Sequence, residues 1–350
     1  MFGNILIDRI RFSKRIDFID TPYVLQQELK NELQKHFLEN AFKVNFDKKF
    51  FRVDFNPTRY LDEVTEESSK KPNLNLDMIN EKKLLGFLQY IYHLLGECNV
   101  TWIDITKNLI VENPVQTYIK ALYGRKFKYP YKVNDENSDI NNSSLVLNPL
   151  KRKKDSNCRN LNRQITFYDK IKQIQSKTKN ARFIDNIWLT SEEIAQIPPL
   201  NYEGNKGRLY LDNLHGLNIL RCEQRYKYTA NIKRITHFLL NSKEENELRI
   251  STLIYLLEEG TLYNKLDEFY TEELRKYVFF DTIEDIEESN NKYIPIIKDL
   301  IEEYNEIDLM AFEPLFTEIG YKDKFHRAIK IIQQQTLGIY YNELYNKFNI

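Results

Sequence analysis

The sequence is poor in the residues that interrupt regular structure: glycine and proline occur only ten times each in 350 residues. That scarcity excludes collagen-like and proline-rich disordered organisation. Cysteine is rarer still. Cys98, Cys158 and Cys222 are odd in number, far apart and without a C-x-x-C spacing, so they build neither a disulfide framework nor a zinc knuckle. A reducing compartment follows as the expectation. No run approaches the roughly 20 apolar residues that a membrane-spanning helix needs. The opening stretch, MFGNILIDRIRFSKR, alternates apolar with polar residues as a strand does, unlike a signal peptide. The sequence thus reads as cytoplasmic, with no membrane partner.

Chemical signatures are missing too. The five histidines (His36, His93, His215, His237, His326) form no H-x-H, H-x-x-x-H or H-E-x-x-H pairing. There is no G-x-G-x-x-G, no G-x-x-x-x-G-K-[ST] and no G-x-S-x-G, so nucleotide-binding loops and a serine-hydrolase elbow have no support. Net charge is formally zero. Its distribution is uneven, however. Lys151 to Arg182 holds eleven Lys or Arg against two acids, Asp155 and Asp169, whereas Lys243 to Gly320 holds seven basic and 21 acidic residues. A basic middle and an acidic end hide each other in the sum.

What is present is a globular composition, 42% hydrophobic and 29% charged, in a chain long enough for two domains. Strand alternation marks Asn4–Phe12, a hairpin over Ala41–Phe46 and Lys49–Phe55, and strands at Val100–Thr106, Arg163–Lys170 and Asn218–Tyr228. Helical spacing marks a helix opened by Pro22 (Leu25, Leu29, Leu33, Phe37), a second through Leu84–Leu95, and a short one at Val115–Leu122. Residues 132–162 are polar and read as a long loop. From Thr229 onward the pattern is helical. The expected fold is α+β: a central antiparallel sheet with flanking helices over residues 1–240, then an acidic all-helical domain over 241–350.

Three strands carry candidate chemistry, because alternate residues of a strand share a face. In Arg163–Lys170, Ile165 and Phe167 face a core while Gln164, Thr166, Tyr168 and Lys170 line the other side. A phenol beside an ammonium suits attack on phosphate. A packing tyrosine on a half-exposed strand would look the same. In Asn218–Lys227, Leu220, Cys222 and Tyr226 share one face and Arg221, Glu223, Arg225 and Lys227 the other. Glu223 there is either a cross-strand ion pair or a carboxylate metal ligand within a phosphate-binding surface. In Asn99–Thr106, Asp104 opposes Ile103 and Ile105. A carboxylate in so apolar a strand needs a partner, either a metal shared with Glu223 or a neighbouring arginine.

The order of these pieces resembles replication initiators of filamentous phages and rolling-circle plasmids, the gene II and RstA-like group and the related plasmid Rep_trans group. The resemblance rests on Phe55-Asn56-Pro57-Thr58-Arg59-Tyr60-Leu61, on Ile103-Asp104-Ile105-Thr106, on Phe167-Tyr168-Asp169-Lys170 and on Ile219-Leu220-Arg221-Cys222-Glu223-Gln224-Arg225. It covers roughly residues 1–240. It implies an HUH-like palm and an enzyme that nicks one strand of origin DNA, single-stranded or in a hairpin. Tyr168 would be the nucleophile, giving a 5′-phosphotyrosyl bond with Lys170 beside it, and Asp104 and Glu223 would hold Mg²⁺ or Mn²⁺. Arg221 and Arg225 would grip phosphate, and Lys151, Arg152, Lys153 and Lys154 would add sequence-independent hold on DNA. Two departures stand: the family's His-hydrophobe-His metal motif is absent, and Trp102 occupies a position that is usually basic. Tyr202, Tyr210, Tyr226 and Tyr228 remain rival nucleophiles. The alternative is a non-catalytic DNA-binding protein of a phage, plasmid or other mobile element, or a relaxase or recombinase of another tyrosine class. The acidic end has three candidate roles: recruiting a host helicase or polymerase, forming a homodimer, or shielding the basic face.

Overall fold

In the computed structural model, the structure describes residues 4–60, 64, 81–123, 131–134, 138–139, 144–149, 163–177, 217–279, 293, 295–297, 299 and 313–349. Eight strands form one sheet: β1 (Ile5–Arg15), β2 (Phe42–Phe46), β3 (Phe50–Phe55), β4 (Asn99–Val111), β5 (Tyr131–Val133), β6 (Ser144–Pro149), β7 (Arg163–Asp169) and β8 (Asn218–Lys227). Their spatial order is β2-β3-β1-β4-β8-β7-β6-β5, and every neighbouring pair is antiparallel. The sheet centre therefore brings together β1, β4, β8 and β7, which are far apart in sequence.

The helices are α1 (Pro22–His36), α2 (Glu81–Leu95), α3 (Val115–Tyr123), α4 (Lys170–Lys177), α5 (Thr229–Leu239), α6 (Ile250–Glu258), α7 (Leu262–Tyr277), α8 (Glu313–Glu318) and α9 (Lys322–Lys347). Proline opens α1 where its missing N–H costs nothing, and Leu29 and Leu33 bury one face. The apolar side of the sheet packs on α3, α5, α7 and the end of α9. Ile103, Ile105, Ile165, Phe167 and Cys222 share one hydrophobic core with Leu266, Tyr270, Tyr341 and Phe348. Among the described residues, the named strands all lie within 1–240 and the named elements of 241–350 are helices, and both ranges contribute to the same core.

That packing gives part of the acidic end a physical task. The sheet's helix-facing side carries two buried cations, Lys107 and Arg163. Asp267 of α7 meets Lys107 at 2.5 Å, and Glu273 of α7 meets Arg163 at 2.5 Å while also pairing with Arg234 of α5. A buried cation without such a partner would be costly. Gln224 donates to the Tyr270 carbonyl at 2.9 Å, and the Tyr270 hydroxyl donates to the Cys222 carbonyl at 2.9 Å.

Two expectations need correction. Residues 132–162 are not one loop: β5 and β6 fall within or beside this range, and β6 pairs with β7 through Leu145, Val146 and Leu147. A three-residue apolar run is enough when a neighbouring strand supplies the ladder. The strand expected to reach Lys170 stops at Asp169, and Lys170 is the first residue of α4.

Candidate functional site

Antiparallel register places opposed residues on the same face, and the polar face assembles in rows. Arg9 of β1 lies opposite Asp104 of β4, which lies opposite Arg225 of β8, which lies opposite Gln164 of β7. The next row runs Thr106, Glu223, Thr166, and the one beyond runs Asn108, Arg221, Tyr168. The row on the other flank is Arg11, Trp102, Lys227. The expected triad of Asp104, Tyr168 and Glu223 therefore occupies one face of three adjacent strands.

Arg225 is the hub. Its Nε donates to Asp104 Oδ1 and Oδ2 at 3.2 and 3.3 Å, one terminal nitrogen donates to Glu223 Oε1 at 2.8 Å, and the other donates to Gln164 Oε1 at 3.1 Å. Trp102 Nε1 donates to Asp104 Oδ1 at 2.7 Å. Asp104 thus has a neighbouring arginine in contact. The oxygen donors of Asp104, Glu223 and Gln164 fit a hard divalent ion in kind. They face Arg225, and among the described residues no group of three or more His, Cys, Asp or Glu is arranged to hold a metal ion.

Tyr168 Oη stands 3.5 Å from Glu223 Oε2, a long hydrogen-bond contact. Burial pushes the phenol well above its ordinary range, and the charges of Glu223 and Asp8 push the same way, opposed by the Arg221 guanidinium. A proton acceptor is therefore needed if this oxygen is to attack.

Sequence reasoning missed Asp8. It sits at a register shift in β1, between Ile7 and Arg9. Thr58 Oγ1 donates to Asp8 Oδ1 at 2.8 Å, Asn56 Nδ2 donates to the Asp8 carbonyl at 2.8 Å, and Arg221 meets Asp8 Oδ1 at 2.8 Å. The Asn56-Pro57-Thr58 step thus holds a carboxylate against the buried arginine. Burial raises the Asp8 pKa, but Arg221, Lys170 and the Thr58 hydrogen bond together hold it below its ordinary value. Lys170 accordingly acts on Asp8, and it donates to Gln173 Oε1 at 3.0 Å.

The rival tyrosines separate. Tyr226 lies on the core face and donates to Gln224 Oε1 at 2.8 Å. Tyr228 is exposed at the sheet's end. Tyr202, Tyr210 and the basic run Lys151, Arg152, Lys153 and Lys154 lie outside the described residues. The chain has no helix long and apolar enough to cross a membrane among the described residues.

Asp104 carries a pH signature. Burial and the neighbouring Glu223 raise it from 3.8 to about 7, against the pull of Arg225. Between these values the folded protein keeps a proton that the unfolded chain has released, so stability falls as pH rises and levels off above about 7. In metal-free protein, urea titrations across this window should give a steeper decline for wild type than for Asp104→Asn. Equal slopes would refute the shift.

No protein-family model matches the chain, and no curated protein matches it. Among solved structures, it is similar to the rolling circle replication initiator protein from Geobacillus stearothermophilus, at 11% identity and a TM-score of 0.34, over 83% of this chain and 91% of that one.

Proposed function

We propose that this protein initiates rolling-circle replication by nicking one strand of origin DNA, with Tyr168 as the nucleophile. The observation that carries the proposal is the placement of Tyr168 between a carboxylate and a buried guanidinium, with Glu223 Oε2 3.5 Å from its hydroxyl and Arg221 directly opposite on β8. In the step drawn, Tyr168 Oη attacks the scissile phosphorus in line and its proton passes to Glu223. The bond from phosphorus to the 3′-oxygen breaks, and that oxygen takes a proton from solvent to leave a free 3′-hydroxyl and a 5′-phosphotyrosyl bond. Arg225, part-exposed, balances charge on the phosphoryl oxygens, and Arg221, buried against Asp8, adds positive potential behind Tyr168. Asp104 and Glu223 are the residues that would hold Mg²⁺ or Mn²⁺, which would supply Lewis-acid polarisation of the phosphate. Glu223 Oε2 faces Tyr168 and suits the proton transfer, whereas Oε1 is engaged by Arg225, so an ion held by Asp104 and Glu223 would displace that contact.

The test is incubation of the full chain with supercoiled plasmid carrying its candidate origin and Mn²⁺. The expected products are nicked circles and a protein–DNA adduct that survives denaturing electrophoresis. Tight origin binding without any cut, with Mg²⁺ or Mn²⁺, would overturn nicking and leave a DNA-binding protein.

A further inference from the structure

Beyond the catalytic rows, β1, β3 and β4 border an open groove of about 430 Å³. Arg11, Arg15, Arg52 and Lys227 line it; Arg15 pairs with exposed Asp17 at 2.8 Å and Arg52 with exposed Asp47 at 2.5 Å, and the acidic lining residue, Glu247, accepts a hydrogen bond from Asn99 at 3.0 Å. Phe50, Trp102 and Tyr228 supply the apolar surface. Positive charge is crowded against the indole: the guanidinium carbons of Arg9, Arg11 and Arg225 lie 3.8, 4.6 and 5.6 Å from the Trp102 ring centre, and Lys227 Nζ lies 3.7 Å from it. Arg9 and Arg11 share Asp54, whereas Lys227 has no ion pair among the described residues. Burial and the surrounding arginines hold the Lys227 ammonium below its ordinary pKa. An arriving anion would relieve that crowding.

Tyr228 adds an independent sign. It takes φ 63° and ψ 155°, a region that non-glycine residues occupy only under strain. The residue is 63% exposed, so little packing compensates. Its backbone N–H donates to the Thr101 carbonyl at 2.8 Å, which fixes the residue at the groove's edge. A strained, rigidly anchored and exposed aromatic ring beside four cations is what a stacked base next to its own phosphates requires.

We infer that this groove binds single-stranded DNA, with a base stacked on Tyr228 and the adjoining phosphates on Arg15, Arg52 and Lys227. Unpaired bases offer their faces to aromatic rings, and duplex bases do not, so the occupant is single-stranded. The inference rests on the DNA-processing reading above for the kind of polymer, and adds the site that holds the strand beside the nicking face.

Anisotropy with a fluorescein-labelled oligothymidylate of about 12 nucleotides tests it on the full chain. Tyr228→Ala should weaken binding about tenfold to a hundredfold. Tyr228→Gly should weaken it as much while leaving the fold at least as stable in urea, since glycine accepts this φ. Lys227→Gln and Arg52→Gln should each lower the salt slope by about 0.7. Wild-type affinity in Tyr228→Gly, or weakening only for a duplex or an RNA probe, overturns the inference. Its outcome is separable from nicking: a wild type that binds the oligonucleotide through Tyr228 yet never cuts plasmid sinks the catalytic reading alone. A wild type that cuts with Tyr228→Gly affinity unchanged sinks this one alone.

Discussion

Tyr168→Phe should abolish the covalent adduct while leaving affinity for origin DNA unchanged. The substitution removes one oxygen and keeps the ring, so β7 still pairs with β8 through Phe167, residue 168 and Asp169. Only the 3.5 Å contact to Glu223 and the influence of Gln173 on the hydroxyl are lost. Loss of a neutral hydroxyl at so long a distance should alter stability by no more than about 1 kcal/mol. The chemical loss is of another order. Deleting the nucleophile of a covalent mechanism costs on the order of 10⁶ in rate. Single-turnover assays on a radiolabelled origin strand would read both effects. An adduct that persists in Tyr168→Phe ends the assignment, and peptide mapping would then ask whether Tyr228, exposed at the end of β8, carries it.

The same residues show where sequence reading succeeds and where it stops. Period-two alternation was enough to put Asp104, Tyr168 and Glu223 opposite their apolar neighbours, because Ile103, Ile105, Phe167 and Cys222 leave no choice of face. Alternation is silent about which strands are neighbours. The register that aligns Asp104 with Arg225 and Tyr168 with Arg221 arises from crossovers over long intervening segments. Asp8 escaped notice because a register shift in β1 determines its neighbours. The β6 strand escaped because Leu145, Val146 and Leu147 are a short apolar run among Asn and Ser. Trp102 looked like the loss of a basic residue. The structure surrounds its ring with four cations from β1 and β8, so positive charge reaches this face from adjacent strands.

Arg221→Met should be the most damaging single change to stability on the polar face. Arg221 is fully buried, and its guanidinium lies 2.8 Å from Asp8. Removing one partner of such a pair leaves a carboxylate desolvated, at a cost of about 3–5 kcal/mol. Urea denaturation should register that loss at neutral pH. Asp8→Asn combined with Arg221→Met should recover much of it, since the double change removes both charges together. The Asp8 contribution to the pH dependence should change sign as well. In wild type, the Asp8 pKa is held below 3.8, so its contribution is present above that value and lost as pH falls through the folded pKa. Without Arg221, burial is the largest influence left on the carboxyl and raises it, with Lys170 the remaining opposing cation. Arg221→Met should therefore regain stability as pH falls from neutral toward 3.8, a range over which the Asp8 contribution in wild type does not change, whereas wild type loses that contribution only below 3.8. Asp104 acts alike in both proteins, so a variant whose stability follows wild type in parallel from neutral pH to 3.8 would show that Asp8 does not depend on Arg221. The buried pair would then have to be replaced as the anchor of the Tyr168 face.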